Sequence, residues 1–83
     1  MTLLYFAWVR QKLGKSEETL ALPAGVKSVA DLANFLRARG GGYEEVFSAP
    51  SRLRVAVNQD HVGFEALLSD RDEVAFFPPV TGG

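Results

Sequence analysis

The group in this sequence best placed to react is the carboxyl carbon of Gly83, which ends the run Phe76-Phe77-Pro78-Pro79-Val80-Thr81-Gly82-Gly83. A terminal carboxylate has an ordinary pKa of about 3.3–3.7 and is anionic at neutral pH. It is a poor electrophile until something activates it. Gly82 and Gly83 lack a Cβ, so they can thread a narrow channel and adopt backbone angles closed to other residues. Other candidate groups are sparse. His61 is the single histidine, and one histidine without clustered ligands cannot build a metal site. Asp60, Asp70 and Asp72 read first as turn formers. There is no cysteine, which excludes disulfides, thiolate-bound zinc and a thiol nucleophile. Gly40-Gly41-Gly42 lacks the context of a phosphate loop, which follows a strand and opens a helix; here the glycines follow a predicted helix. No acid–base pair in a cleft can be assembled from these residues, and so short a chain leaves little room for a deep pocket. The chain reads as a carrier of a reactive group, not an enzyme by itself.

Pro78 and Pro79 have no backbone N–H and cannot extend a sheet ladder as donors. Consecutive prolines favour a stiff, extended path. Six extended residues reach roughly 20 Å at about 3.3–3.6 Å each. The expected organisation is therefore a folded unit over 1–77 and a projecting tail over 78–83. A frayed, functionless end is the competing reading. Against it, the glycines end the sequence and follow directly on an apolar strand, with no solubilising spacer.

Asp72-Glu73-Val74-Ala75-Phe76-Phe77-Pro78-Pro79-Val80-Thr81-Gly82-Gly83 resembles the C-terminus of the molybdopterin synthase small-subunit family, a set of ubiquitin-like sulfur carriers. Tyr5-Phe6-Ala7-Trp8-Val9-Arg10, with Gly14 following, resembles the family's first strand, and Val57-Asn58-Gln59 its central hairpin. The likeness covers nearly the whole chain. A terminal Gly-Gly alone specifies little; the eight-residue ending specifies much more. Arg71 stands where the family usually has glycine, which implies either a turn that needs no positive φ or local strain.

The resemblance implies a chemistry. An E1-like enzyme uses ATP to adenylate Gly83, sulfur from a separate donor displaces the adenylate, and the resulting thiocarboxylate enters the large synthase subunit. There it gives sulfur to a cyclic pterin precursor of molybdopterin. The chain itself would bind no cofactor or metal. Its partners would be the large subunit, in a heterotetramer, the adenylating enzyme and the sulfur donor. Gly82 would act with Gly83, and Val80 and Thr81 would line the channel. Phe6, Trp8, Ala75 and Phe77 would hold the partner, with Arg10 and His61 at the edge of that surface. A sister carrier for thiamine, tRNA or amino-acid thiolation, a ubiquitin-like modifier joined to lysines, and an interaction domain with an inert tail are the alternatives.

Composition bounds the rest. Eighty-three residues make one small domain with a modest core. A hydrophobic fraction of 47% argues against disorder. Net charge −1 argues against nucleic acid as the main partner. The apolar run Leu3–Val9 is too short to span a bilayer, and its flanks do not read as a signal peptide. A cytoplasmic protein with no membrane partner is expected.

Leu3–Arg10 reads as a strand with Leu3, Tyr5, Ala7 and Val9 on one face and Leu4, Phe6, Trp8 and Arg10 on the other. Leu13-Gly14-Lys15-Ser16 reads as a turn and Glu18–Leu22 as a second strand. Ser28 is a helix N-cap with Asp31 in a capping-box position. Val29, Leu32, Ala33 and Leu36 form an apolar stripe, and Gly40 stops the helix. Tyr43–Phe47 reads as one irregular turn docked on the core. Leu53–Val57 reads as a strand with Arg54 and Ala56 outward. Asn58-Gln59-Asp60-His61 reads as a turn leading to a short strand from Val62, Ser69–Asp72 as a turn, and Glu73–Phe77 as the last strand. Two strands, a helix, then two or three strands give an α+β layer. That is the β-grasp, ubiquitin-like architecture: a mixed sheet, one main helix across it and an extended C-terminal tail. Its first and last strands lie together, parallel, at the sheet's centre. One helix covers one face only, so Leu4, Phe6 and Trp8 beside Ala75 and Phe77 would form an exposed apolar patch, the mark of an interaction site.

Overall fold

The computed structural model describes residues 1–79. The strands are β1 (Thr2–Tyr5), β2 (Glu17–Thr19), β3 (Arg54–Val57), β4 (Asp60–Val62) and β5 (Glu73–Phe77); the helices are α1 (Ala7–Leu13), α2 (Val29–Arg37) and α3 (Gly41–Phe47). The sheet order is β2-β1-β5-β3-β4. β1 pairs parallel with β5, and every other pair is antiparallel. This is the expected mixed β-grasp sheet, with the first and last strands central.

The core lies between the sheet and the helices. Leu3, Tyr5, Val55, Val74 and Phe76 point to it from the strands, and Val9, Val29, Leu32, Leu36, Val46 and Phe47 from the helices. Each larger side chain buried there contributes roughly 1.5–3 kcal/mol. Phe76 sits at the middle, edge-on to Phe47 at 5.0 Å and stacked with Tyr5 at 6.4 Å. α2 forms as its sequence dictates. Asp31 N–H donates to Ser28 Oγ at 3.2 Å, and Ser28 N–H donates back to Asp31 Oδ2 at 3.2 Å. Gly40 carries a φ of 79°, although α2 itself closes at Ala38.

The expected strand to Arg10 is corrected. It stops at Tyr5, and Ala7–Leu13 is a helix. Phe6 is still extended, and Ala7 then turns the chain at a φ of 53°. Arg10, Gln11, Lys12 and Leu13 are all good helix formers. Val9 and Leu13, four apart, turn toward the core. Gly14, at φ 72°, is the left-handed stop. The irregular turn expected at Tyr43–Phe47 is corrected too: α3 runs through it, burying Val46 and Phe47. β2 is shorter than expected; beyond it the Leu20 N–H still donates to the Met1 carbonyl at 3.0 Å, and Leu20 and Leu22 lean on the core. The β3–β4 turn is only Asn58–Gln59, at φ 51° and 71°, the twist-matched two-residue hairpin geometry. His61 therefore lies in β4 and not in the turn. Arg71 is not among the residues of positive φ, so its turn does not need the glycine.

A half-buried polar cluster ties the β2 edge to the helices. Tyr5 Oη and Tyr43 Oη both donate to Glu18 Oε2, at 2.8 and 2.7 Å, and Arg39 Nη1 donates to Glu18 Oε1 at 2.7 Å. Burial disfavours the charge on Glu18, but the Arg39 guanidinium and the two phenols outweigh it and hold the pKa below the usual carboxylate range. Burial first, then the bond to Glu18, pushes the Tyr5 phenol far above its ordinary value, so it stays a donor at any physiological pH.

Two outcomes follow. A depressed carboxylate pKa adds stability that is complete above the unfolded value and is lost as pH falls through the folded one. Glu18→Gln should therefore cost about 1–3 kcal/mol at pH 7 in urea titrations. The variant should also lose less stability than the parent on acidification below about pH 4.5. Identical acid limbs would show that Glu18 is not the linked group. At Gly42, a Cβ would run into the Lys12 carbonyl oxygen of α1. Gly42→Ala should gain up to about 1 kcal/mol in helix propensity, yet lose more from overlap with backbone, for a net destabilisation of about 1–2 kcal/mol by the same titration.

Candidate functional site

The face of the sheet away from the helices carries the site. Alternation along each strand sends Leu4, Ala75 and Ala56 to this side, and the register sets them in one row with His61: Leu4 beside Ala75, Ala75 beside Ala56, Ala56 beside His61. Ala56 is only 6% exposed yet lies outside the main core, so its larger neighbours on this second face screen it. One step along, Phe6 N–H donates to the Phe76 carbonyl at 3.2 Å, which brings Phe6 alongside Phe77. Phe77 in turn faces Arg54 across the β3–β5 ladder. The His61 ring tilts against Phe77 with centroids 5.2 Å apart. Phe6 is 46% exposed and adjoins Phe77, so the two rings form a contiguous apolar surface, the kind that marks an interaction site.

The expected surface residues therefore divide. Phe6, Ala75, Phe77 and His61 come together on this face. Trp8 and Arg10 do not sit on the sheet, because α1 carries them. Trp8 is half-buried against the core, with the Arg52 guanidinium 4.8 Å above its ring. Arg10 is exposed, one helical turn after Phe6. Arg54 and Ala56 also belong to the face, and sequence reasoning did not count them as site residues. Both were read as outward, and continuing the hairpin register to β5 would have set them beside Phe77 and Ala75. Pro78 and Pro79 continue from β5 without strand pairing and are half-buried. Val80, Thr81, Gly82 and Gly83, the expected tail residues, lie outside the described residues.

Among the described residues no cavity opens, and no three His, Cys, Asp or Glu side chains gather as a metal-ligand set. No helix there is long and apolar enough to cross a membrane. What the arrangement can do is dock: it offers a flat apolar strip on the two central strands, at the end where β5 leads into the last residues of the sequence.

Comparison with known proteins follows the same lines. The molybdopterin synthase sulfur carrier subunit of Escherichia coli is 40% identical over 81 residues, covering 98% of this chain and 96% of that one. Its counterpart from Mycobacterium tuberculosis is 32% identical over 83 residues, covering 100% and 96%. The solution structure of small archaeal modifier protein 1 from Methanosarcina acetivorans superposes with a TM-score of 0.75 at 25% identity, covering 99% of this chain and 94% of that one. The description of the ThiS family matches residues 3–83. With a match of that extent on the same mixed-sheet frame, the chain belongs to the ThiS family of ubiquitin-like sulfur carriers.

Proposed function

We propose that this protein is the sulfur carrier subunit of a molybdopterin synthase, non-catalytic by itself, and that its working atom is the carboxyl carbon of Gly83. The observation that carries the reading is the kinship over the whole chain with curated sulfur carrier subunits of that enzyme. The docking strip supports it, because a carrier must be held while its end reacts elsewhere.

The chemistry proposed is acyl activation. The Gly83 carboxylate attacks the α-phosphorus of ATP in an E1-like enzyme, and pyrophosphate leaves. A sulfur nucleophile at the sulfide level, supplied by a separate donor, then attacks the acyl carbon, and AMP leaves with the C–O bond electrons. The thiocarboxylate sulfur so formed bonds to a carbon of a cyclic pterin phosphate in the large synthase subunit as an oxygen substituent leaves that carbon. Water then cleaves the acyl C–S bond, leaving sulfur on the pterin and the carboxylate on Gly83. Folded 1–77 is the handle and 78–83 the tool. Gly82 clears the channel beside Gly83, and Val80 and Thr81 line it. Phe6, Ala75 and Phe77 form the seat of the large subunit, with His61, Trp8 and Arg10 around it, and two carriers and two large subunits make the heterotetramer. ATP is a substrate of the activating partner and not a resident of this chain. That requirement sets the work in the cytoplasm.

The test is an intact mass of the purified chain after incubation with the activating enzyme, ATP and a sulfur donor. The expected gain is one sulfur for one oxygen, lost on deleting Gly83, with an unchanged thermal midpoint. No gain, from an activating enzyme shown to work on another carrier, would overturn the mechanism. Likeness to a modifier protein raises a second reading, conjugation to lysine side chains; isopeptide-linked products in cell extracts, with no thiocarboxylate, would favour it. Separately, Phe6→Asp should not lower folding stability, because Phe6 is half-exposed at the N-cap of α1, where aspartate is a favoured residue. It should also abolish co-elution with the large synthase subunit, because it places an unpaired charge in a desolvated seat.

A further inference from the structure

The ion pairs among the described residues join Lys12 to Glu45, Lys15 and Arg39 to Glu18, and Arg37 to Glu44. They all serve β2 and the helices. Arg10, Arg52 and Arg54 are exposed, and no carboxylate among the described residues pairs with them. The fold nevertheless brings these three to one place. Arg54 faces Phe77 across the β3–β5 ladder, and its Nη1 donates to the neighbouring Leu53 carbonyl at 2.9 Å. Arg52 lies over Trp8 of α1. Arg10 N–H reaches back to the Phe6 carbonyl at 3.4 Å. The three residues thus stand around the end of the apolar strip where β5 meets Pro78. The acids of this face sit elsewhere: Glu73 at the opposite end of β5, beside Thr2, and Glu17 on β2, beside Leu4.

Net charge is only −1, so a cationic edge without carboxylate partners among the described residues is a local feature and not a general basic surface. Like charges gathered in this way repel one another in the free protein, and an external anion relieves that repulsion. Guanidinium is suited to the task, since its planar fork binds carboxylates in two-point fashion. We propose that Arg10, Arg52 and Arg54 form a cationic lip that selects the partner. The large synthase subunit should present carboxylates around the opening that admits the tail, and Arg54, beside Phe77, should be the main contact. This inference rests on the reading of the apolar strip as the seat of that subunit.

Charges at the rim of an interface act mainly on the rate of encounter and on its salt dependence. The test is stopped-flow association of the full chain with its own large synthase subunit, at about 50 mM and about 500 mM salt, where the screening length falls from well above 10 Å to a few ångströms. Arg54→Glu should slow association about tenfold at low salt and by much less at high salt, with little change in dissociation. Arg54→Leu should fall between parent and Arg54→Glu. Equal thermal midpoints would show that the exposed substitutions leave the fold intact, and Arg10→Glu serves in place of any variant that does not fold. An Arg54→Glu chain that associates like the parent at low salt would overturn the lip while leaving the seat in place. So would a loss of equal size at both salts, since that would mark packing and not charge. A parent chain that does not bind the large subunit at all would overturn the seat, and the lip with it.

Discussion

The parallel pairing of β1 with β5 is the constraint on which the rest of the structure depends. It joins Thr2 to Glu73 and Tyr5 to Phe76, so nearly the whole chain must be organised before its centre can close. Loop-closure entropy makes such long-range pairing slow to form. The return is a sheet whose middle is made from the two ends of the sequence. Helices bury one face of that middle, where Leu3, Tyr5, Val74 and Phe76 are sealed. The residues that alternate with them, Leu4, Phe6, Ala75 and Phe77, must then lie together on the other side. The apolar strip is not an addition to the fold, because it follows from placing two apolar strands at the centre of a sheet covered on one side only.

Polar interactions are kept to the periphery, and each holds a piece that apolar burial alone would leave loose. β2 is three residues long and would be a marginal edge strand. Glu18 anchors it by accepting from Tyr5 in β1, Tyr43 in α3 and Arg39 just past α2. At the other side of the molecule Asn58, held at positive φ, donates from Nδ2 to Asp72 and accepts the Glu73 N–H on Oδ1. That pair locks the β3–β4 hairpin to the start of β5 and offsets the cost of a left-handed asparagine. With both edges fixed in this way, the central strip needs no polar group of its own.

Much of this was legible. The capping box at Ser28 and Asp31, the stripe from Val29 to Leu36 and the last strand ahead of Pro78 each follow a local rule that tertiary structure does not override. What was not legible has identifiable causes. Leu3–Val9 is apolar throughout, and such a run fits a strand or a buried helix segment equally well. The break depends on Ala7 adopting a φ of 53°, a conformation that alanine does not advertise. The helix formers Arg10–Leu13 ahead of Gly14 were the available signal. α3 opens on Gly41 and Gly42, poor helix formers that hide its start; Gly42 is there because α1 passes too close for a side chain. The Glu18 cluster joins residues from three elements, so no sequence window contains it. For the face, the apolar members could be read from alternation, but Trp8 and Arg10 could not be placed once α1 replaced the end of the strand.

Correcting that one element also changes how the surface is understood. Had the strand run on to Arg10, Trp8 and Arg10 would have extended the flat strip along the sheet. The turn at Ala7 instead lifts them onto a helix at its end, where Trp8 packs inward and is capped by Arg52. The strip becomes short, with small residues at its middle, Ala56 and Ala75, and aromatic rings only at the end from which the tail departs. A carrier that must visit an activating enzyme and then a synthase, as proposed, needs a seat that can be left as well as taken. A short strip limits the apolar area buried in each visit, and apolar burial is one of the favourable terms that hold a partner. Specific encounter then has to come from elsewhere, and charges at the rim supply it without deepening the seat. On this argument the left-handed turn at Ala7 does more than end a strand: it sets how tightly the carrier can be held.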